Sequence, residues 1–157
     1  GRSPTGAPVW PELHVGSISH GGGWVGAAVA RIDDARALGL DIEPVSDLSQ
    51  DVERLVCRAE EKQHFSTLSP CPSGASWRLL AFSAKESVYK AYNPLTASWL
   101  DFHDLSLTFS RDTQGDQGTF TAQLVNPDRP NPETVAALEG RWSVVEGKVL
   151  TGVFLPP

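Results

Sequence analysis

The sequence has no methionine, only two cysteines, and an excess of acid over base that leaves a formal net charge of −6. Cys57 and Cys71 fall in no metal-ligand or redox spacing, which excludes thiolate zinc sites and dithiol chemistry and makes a reduced, cytoplasmic setting the expectation. No apolar run approaches the length that crosses a bilayer, and no basic-then-apolar signal segment opens the chain, so no membrane partner is expected. An acidic molecule repels nucleic acid and other polyanions, which removes nucleic acid from the expected partners. Any anionic substrate must then be held by a local cluster of cations or by a metal ion. The missing methionine, together with the opening Gly1-Arg2-Ser3-Pro4, marks the chain as an expected piece of a longer polypeptide.

What is present is ordinary for a globular protein: 157 residues, 40% hydrophobic and 20% charged, enough for one compact domain or two small lobes sharing a core. The Pro- and Gly-rich stretch from Gly1 to Pro11 reads as an extended lead-in. Val15 to His20 is a short strand, ended by Gly21-Gly22-Gly23. Trp24 to Ile32 and Leu38 to Glu43 read as strands, with Asp33-Asp34-Ala35-Arg36 short and polar enough to close a hairpin between them. Asp47 with Gln50 resembles a helix-capping pair, and a broken helix follows to about Thr67. After a loop at Ser69 to Gly74, Trp77 to Tyr92 is the strongest helical segment, stopped by Asn93-Pro94. The period then becomes two. Leu105, Leu107 and Phe109 alternate with polar residues, as do Phe120, Ala122 and Leu124, with Gln114 to Gly118 between the two strands. Arg141 to Val145 and Lys148 to Phe154 form a last hairpin around Glu146-Gly147. The expected fold class is α+β, an antiparallel sheet packed against one long helix plus shorter helices.

Asp41 and Glu43 lie two apart on a strand, so both carboxylates leave one face while Leu40 and Ile42 leave the other. Two such close carboxylates repel unless a cation sits between them, although a solvated strand edge is the plainer reading of an isolated pair. On the long helix, Leu80, Ala84, Ser87 and Ala91 line a small apolar face suited to close packing on a sheet. Ser83, Glu86 and Lys90 line another, and Glu86 with Lys90 one turn later also fits a surface ion pair. His20 precedes three glycines, where a histidine or a serine such as Ser19 can donate to phosphate oxygens. Trp77 reads as a core anchor.

Taken in order, Gly16-Ser17-Ile18-Ser19-His20, Leu38-Gly39-Leu40-Asp41-Ile42-Glu43 and Phe82-Ser83-Ala84-Lys85-Glu86-Ser87-Val88-Tyr89-Lys90-Ala91 resemble the three signature motifs of 4′-phosphopantetheinyl transferases. The likeness is to the larger class that includes the surfactin- and enterobactin-pathway enzymes. The lead-in Gly6-Ala7-Pro8-Val9-Trp10-Pro11 is similar to that family's segment before the histidine motif.

The resemblance implies transfer of the phosphopantetheine arm of coenzyme A to a serine hydroxyl of an acyl or peptidyl carrier protein, with release of 3′,5′-adenosine bisphosphate. It implies Mg²⁺ held by Asp41, Glu43 and Glu86, an oxygen-only set that suits that ion. Ser19, His20, Lys85 and Lys90 are implied to bind coenzyme A, with Glu86, Lys90 and His20 catalytic. The helix angle of Lys85 points it away from Glu86. The serine proton goes to Glu86 or to a metal-bound water, an alternative that the sequence leaves open. The carrier is expected to dock near the helix before Thr67, with Arg58 and Lys62 as candidate contacts. Larger-class enzymes pair two similar lobes, and the first is expected to precede residue 1, supplied by a parent polypeptide or a second subunit. Ala7 stands where relatives often carry a basic residue, a role that Arg2 is expected to assume. Rival readings are a non-catalytic module that binds coenzyme A or a carrier, a magnesium phosphohydrolase using the same three carboxylates, and a purely structural protein.

Overall fold

The computed structural model describes residues 1–4, 6–113 and 115–157; Gln114 of the expected loop therefore lies outside the described residues. The period-two segments form strands and assemble by antiparallel pairing. β3 (Ala37–Pro44), β7 (Lys148–Leu155), β6 (Glu139–Val145), β5 (Gln117–Leu124) and β4 (Leu105–Arg111) make a five-stranded sheet in that spatial order. Their inward residues, among them Phe109, Phe120, Trp142, Val149 and Val153, are buried on one face. The long helix lies on that face, as the α+β reading requires.

Separately, β1 (His14–Gly21) and β2 (Trp24–Arg31) pair as a two-stranded sheet. Their turn is Gly22-Gly23, with φ of +56° and +82°, the doubly left-handed geometry that matches the twist of a hairpin. That pairing uses β2, so the expected hairpin between β2 and β3 does not form; β3 pairs with β7 instead. The other edge of β3 would leave backbone donors unpaired. Ser17 and Ser19 of β1 cover it: Leu40 N–H donates to Ser17 Oγ at 2.9 Å, and Ile42 N–H donates to Ser19 Oγ at 3.1 Å.

Two short helices, α1 (Gln50–Val56) and α2 (Ala59–Thr67), form the broken helix. The N-cap of α1 is Ser49 rather than Asp47, because the Ser49 hydroxyl accepts from Val52 N–H at 3.3 Å. α3 runs Trp77–Thr96 behind a Ser76 cap and passes through Pro94. The expected stop there is wrong by one turn. Pro94 lacks one N–H, but Ala97 N–H still reaches Asn93 O at 2.8 Å and Ala97 ends the helix in the left-handed region. A five-residue helix, α4 (Pro132–Ala136), was not expected from the pattern; it starts on a proline and buries Val135 completely.

α3 is anchored at its start by Trp77, whose ring meets Trp142 edge-on at 5.3 Å and Phe109 at 5.6 Å. Ala84, Ser87 and Ala91 are at most 1% exposed, as their small-residue face predicts. Gly39 makes the seat on β3 possible. A Cβ there would stand 1.8 Å from the Ser87 carbonyl oxygen, closer than any atom tolerates. This contact sets the depth of α3 and hence the height of Ser83, Glu86 and Lys90 above Asp41. No helix among the described residues is long and apolar enough to cross a membrane.

Candidate active site

Asp41 is brought to the helix by two-residue alternation along β3 and is 4% exposed. Its Oδ1 accepts from Lys90 Nζ at 2.8 Å and from Ser19 Oγ at 3.3 Å, and its Oδ2 accepts from Ser83 Oγ at 2.9 Å. Lys90 Nζ also donates to Leu40 O at 2.9 Å and to Ser19 Oγ at 3.2 Å, so all three ammonium protons are placed. Ser19 accepts from Ile42 N–H and Lys90 while donating to Asp41, which ties it to β3 and to the acidic residue together.

Glu43 and Glu86 face the same charge. Burial, then the Asp41 carboxylate and a hydrogen bond with it, and then Glu86, push the Glu43 carboxyl up to about 7. Burial and the Asp41 charge also raise Glu86, against the pull of Lys90. Three carboxylates thus crowd one ammonium. Among the described residues, however, no group of three His, Cys, Asp or Glu side chains is already drawn around one point to hold a metal ion. Lys90 Nζ instead holds Asp41 Oδ1 at 2.8 Å. The donors suit a hard divalent cation: they are carboxylate oxygens that repel one another and lack enough positive charge. The donor chemistry suits Mg²⁺, which Asp41, Glu43 and Glu86 would hold.

The crowding has a consequence for stability without metal. Glu43 titrates near 7 when folded against 4.5 when unfolded, so between those values the folded state holds the extra proton. Stability is therefore lost as pH rises through that window. With EDTA present, the Tm of Glu43→Gln relative to the parent is expected to rise from about pH 5 to about pH 8; a pH-independent difference would contradict the crowding.

Lys85 occupies a different place. It is 1% exposed, and its Nζ donates to Val56 O at 2.7 Å, Glu61 Oε2 at 2.9 Å and Phe102 O at 2.9 Å. Glu61 completes the knot, accepting from Arg58 N–H and Leu107 N–H, both at 2.8 Å. Every Lys85 proton is used inside the protein. Burial holds its ammonium below the usual lysine range, with Glu61 opposing.

His20 is exposed at the end of β1 and borders a cavity of about 400 Å³ that is also lined by Arg2, Ser19, Asp41 and Lys90. A larger cavity of about 430 Å³ lies alongside, between Trp10, Leu38 and Leu95. It contains none of the three acidic residues, so the charged cavity is the better candidate for chemistry. On the other flank, Glu86, Tyr89, Trp99 and Phe102 line a cleft of about 220 Å³. Arg58 and Lys62 are already paired, Arg58 with Glu60 and His103 O, and Lys62 with Glu53 at 3.3 Å. The two thiols are pushed up by burial, Cys57 to about 11 and Cys71 to about 12.

Sequence reasoning missed Ser83 as a partner of Asp41, Thr151 as the partner of Ser83 at 2.8 Å, and Glu61 as the partner of Lys85. Ser83 carried a signal, since it shares a helix face with Glu86 and Lys90. Thr151 and Glu61 carried none, because their partners are far along the chain.

The comparisons with known proteins identify the family. The family model described as the 4′-phosphopantetheinyl transferase superfamily matches residues 37–138, which contain β3 and α3. The chain is 42% identical over 149 residues to the 4′-phosphopantetheinyl transferase Svp of Streptomyces mobaraensis, covering 94% of this chain and 59% of that protein. It is 37% identical over 155 residues to the 4′-phosphopantetheinyl transferase PptT of Mycobacterium tuberculosis, covering 98% of this chain and 67% of that protein. Against enterobactin synthase component D of Escherichia coli K12 it is 36% identical over 104 residues, 63% of this chain and 47% of the relative. The chain thus spans about three-fifths of the Streptomyces relative's length. An acidic strand and a Glu–Lys helix face meeting at one buried point, inside the segment that the family model covers, are accounted for together: this chain belongs to the 4′-phosphopantetheinyl transferase superfamily.

Proposed function

We propose that the chain carries the active site of a Mg²⁺-dependent transferase that moves 4′-phosphopantetheine from coenzyme A to a serine of a carrier protein in the cytoplasm. The observation that carries the reading is the crowding of Asp41, Glu43 and Glu86 beside Lys90, with Asp41 and Lys90 lining a cavity that also holds Arg2 and His20. The names of the Streptomyces and mycobacterial relatives support the same activity.

Asp41, Glu43 and Glu86 would hold the Mg²⁺. When bound, the ion neutralises charge that grows on the bridging oxygen as the phosphoanhydride breaks. His20, Arg2 and a freed Lys90 would bind phosphate oxygens, reversing the sign of an otherwise acidic surface. Ser19 would hold Lys90 in reach. The carrier serine oxygen bonds to the phosphorus bearing pantetheine, the bond from that phosphorus to the bridging oxygen breaks, and 3′,5′-adenosine bisphosphate leaves. Glu86 would take the serine proton as general base. The cleft between Glu86, Tyr89, Trp99 and Phe102 is apolar enough for the pantetheine arm. Lys85 serves the reaction only through the fold, because its protons are spent on Val56, Glu61 and Phe102.

A further lobe is part of this reading. On the face of β1–β2 that carries His20, Val25 is 81% exposed, Val29 53% and Ile18 43%. Such an apolar face beside the charged cavity suits a covering lobe that completes the coenzyme A pocket, from the parent polypeptide or a second subunit. His20→Ala is then expected to raise the Kd for coenzyme A about tenfold with kcat little changed, the size of a lost charge-assisted hydrogen bond. Lys90→Ala lowers kcat instead. Isothermal titration and steady-state rates separate the two.

Incubation of the protein, with its covering lobe present, with coenzyme A, Mg²⁺ and an apo carrier should add about 340 Da to the carrier. No gain in mass would leave a binding module. Phosphate release from nucleotides without a carrier would point to a phosphohydrolase.

A further inference from the structure

Asp41 is held by hydroxyls from two other elements, and their protons can be assigned. Ser83 Oγ lies 2.9 Å from Asp41 Oδ2 and 2.8 Å from Thr151 Oγ1. A carboxylate accepts and does not donate, and a serine hydroxyl has one proton. The Ser83 proton therefore goes to Asp41, and the Thr151 proton must go to Ser83. The relay runs one way, from Thr151 on β7 through Ser83 on α3 to Asp41 on β3. Its exposures are 1%, 0% and 4%, so water does not compete for any of its bonds. Thr151 also stands directly opposite Asp41 in the β3–β7 ladder, which fixes the base of the relay to the strand that carries the acid.

The two oxygens of Asp41 consequently differ. Oδ2 is committed to a rigid, buried pair of hydroxyls. Asp41 lines the charged cavity, and its Oδ1 is held by the ammonium of the half-buried Lys90 and, at 3.3 Å, by the Ser19 hydroxyl. The terminal torsion of a free aspartate is broad, so nothing intrinsic to the residue would keep this orientation.

We propose that Ser83 and Thr151 are positioning residues, a two-hydroxyl relay that locks the Asp41 carboxylate so that Oδ1 is the oxygen presented to the divalent cation once Lys90 withdraws. The inference rests on the assignment of Asp41 to the metal in the preceding section. Loss of groups that orient a metal ligand typically weakens metal affinity about 10–100-fold.

Mn²⁺ binding to the full chain, read by the loss of the free-ion electron paramagnetic resonance signal, tests it apart from turnover. Thr151→Val keeps the shape and removes the hydroxyl; Ser83→Ala removes the middle of the relay. Both are expected to raise the Mn²⁺ Kd about tenfold or more, and Thr151→Ser to restore it. In the transfer assay the loss should shrink at high Mg²⁺, because the ligand itself remains. Should Thr151→Val fail to fold, Ser83→Ala and Ser83→Thr make the same comparison. Folded variants with lowered Tm but parental Mn²⁺ affinity would make the relay merely structural and overturn the proposal. A parent protein that binds no Mn²⁺ would overturn the metal assignment itself, and the inference with it.

Discussion

Glu86→Ala removes measurable transfer while the protein stays folded. The expected fall in kcat is at least about 10²–10⁴-fold, the range for loss of a general base, and loss of a metal ligand adds to it. The fold survives because Glu86 is half-buried against Asp41 and contributes repulsion there. Its removal relieves strain in the metal-free protein. Glu86→Gln is the companion variant: it keeps the shape and one oxygen but cannot take the serine proton, so it should be nearly as inactive. Single-turnover transfer to an apo carrier, with far-ultraviolet circular dichroism as the folding control, reads both. A fully active Glu86→Ala protein would remove the mechanism.

The second large effect is on stability. Lys85→Met leaves Glu61, 0% exposed at its side chain, as a buried carboxylate with two backbone donors and no counter-charge. Breaking one partner of such a pair costs about 3–5 kcal/mol. For a chain of this length that lowers Tm by roughly 10 °C or more. Lys85→Met combined with Glu61→Leu should recover most of the loss, because replacing both charges with apolar groups removes the unpaired ion as well as the attraction. Thermal denaturation of Lys85→Met, Glu61→Leu and the double variant decides it; additive losses in the double variant would contradict a coupled pair. The knot joins α1, α2, α3 and the 3₁₀ turn at Phe102–Asp104. Lys85 thereby fixes Phe102, and both residues line the cleft beside Glu86.

The sequence carried local periods well and partner choice poorly. Alternation placed Leu105, Leu107 and Phe109 inward and set Asp41 and Glu43 on one face, since a strand permits no other arrangement. The small stripe of Ala84, Ser87 and Ala91 announced the helix face that packs on the sheet. Neither pattern says which strand lies beside β3. A short polar link to β2 suggested a hairpin, but β2 was claimed by β1 through Gly22-Gly23, and the Ser17 and Ser19 hydroxyls took the vacant edge. The same limit applies to the site. Lys85 and Lys90 both flank Glu86, and only the fold decides that one meets Glu61 and the other Asp41. Glu61 and Thr151 could not be found from local pattern, because a buried polar residue looks like a surface one until its partner arrives.

Convergence of Asp41, Glu43 and Glu86 on one divalent ion is the premise for everything proposed about the chemistry. Crystals of the protein grown with coenzyme A and Mn²⁺, measured at the manganese edge, would locate the ion directly. A single anomalous peak within coordinating distance of all three carboxylates, with Lys90 withdrawn from Asp41 Oδ1, is the expected result. A peak elsewhere, or none there with coenzyme A bound and Lys90 still on Asp41, would contradict it.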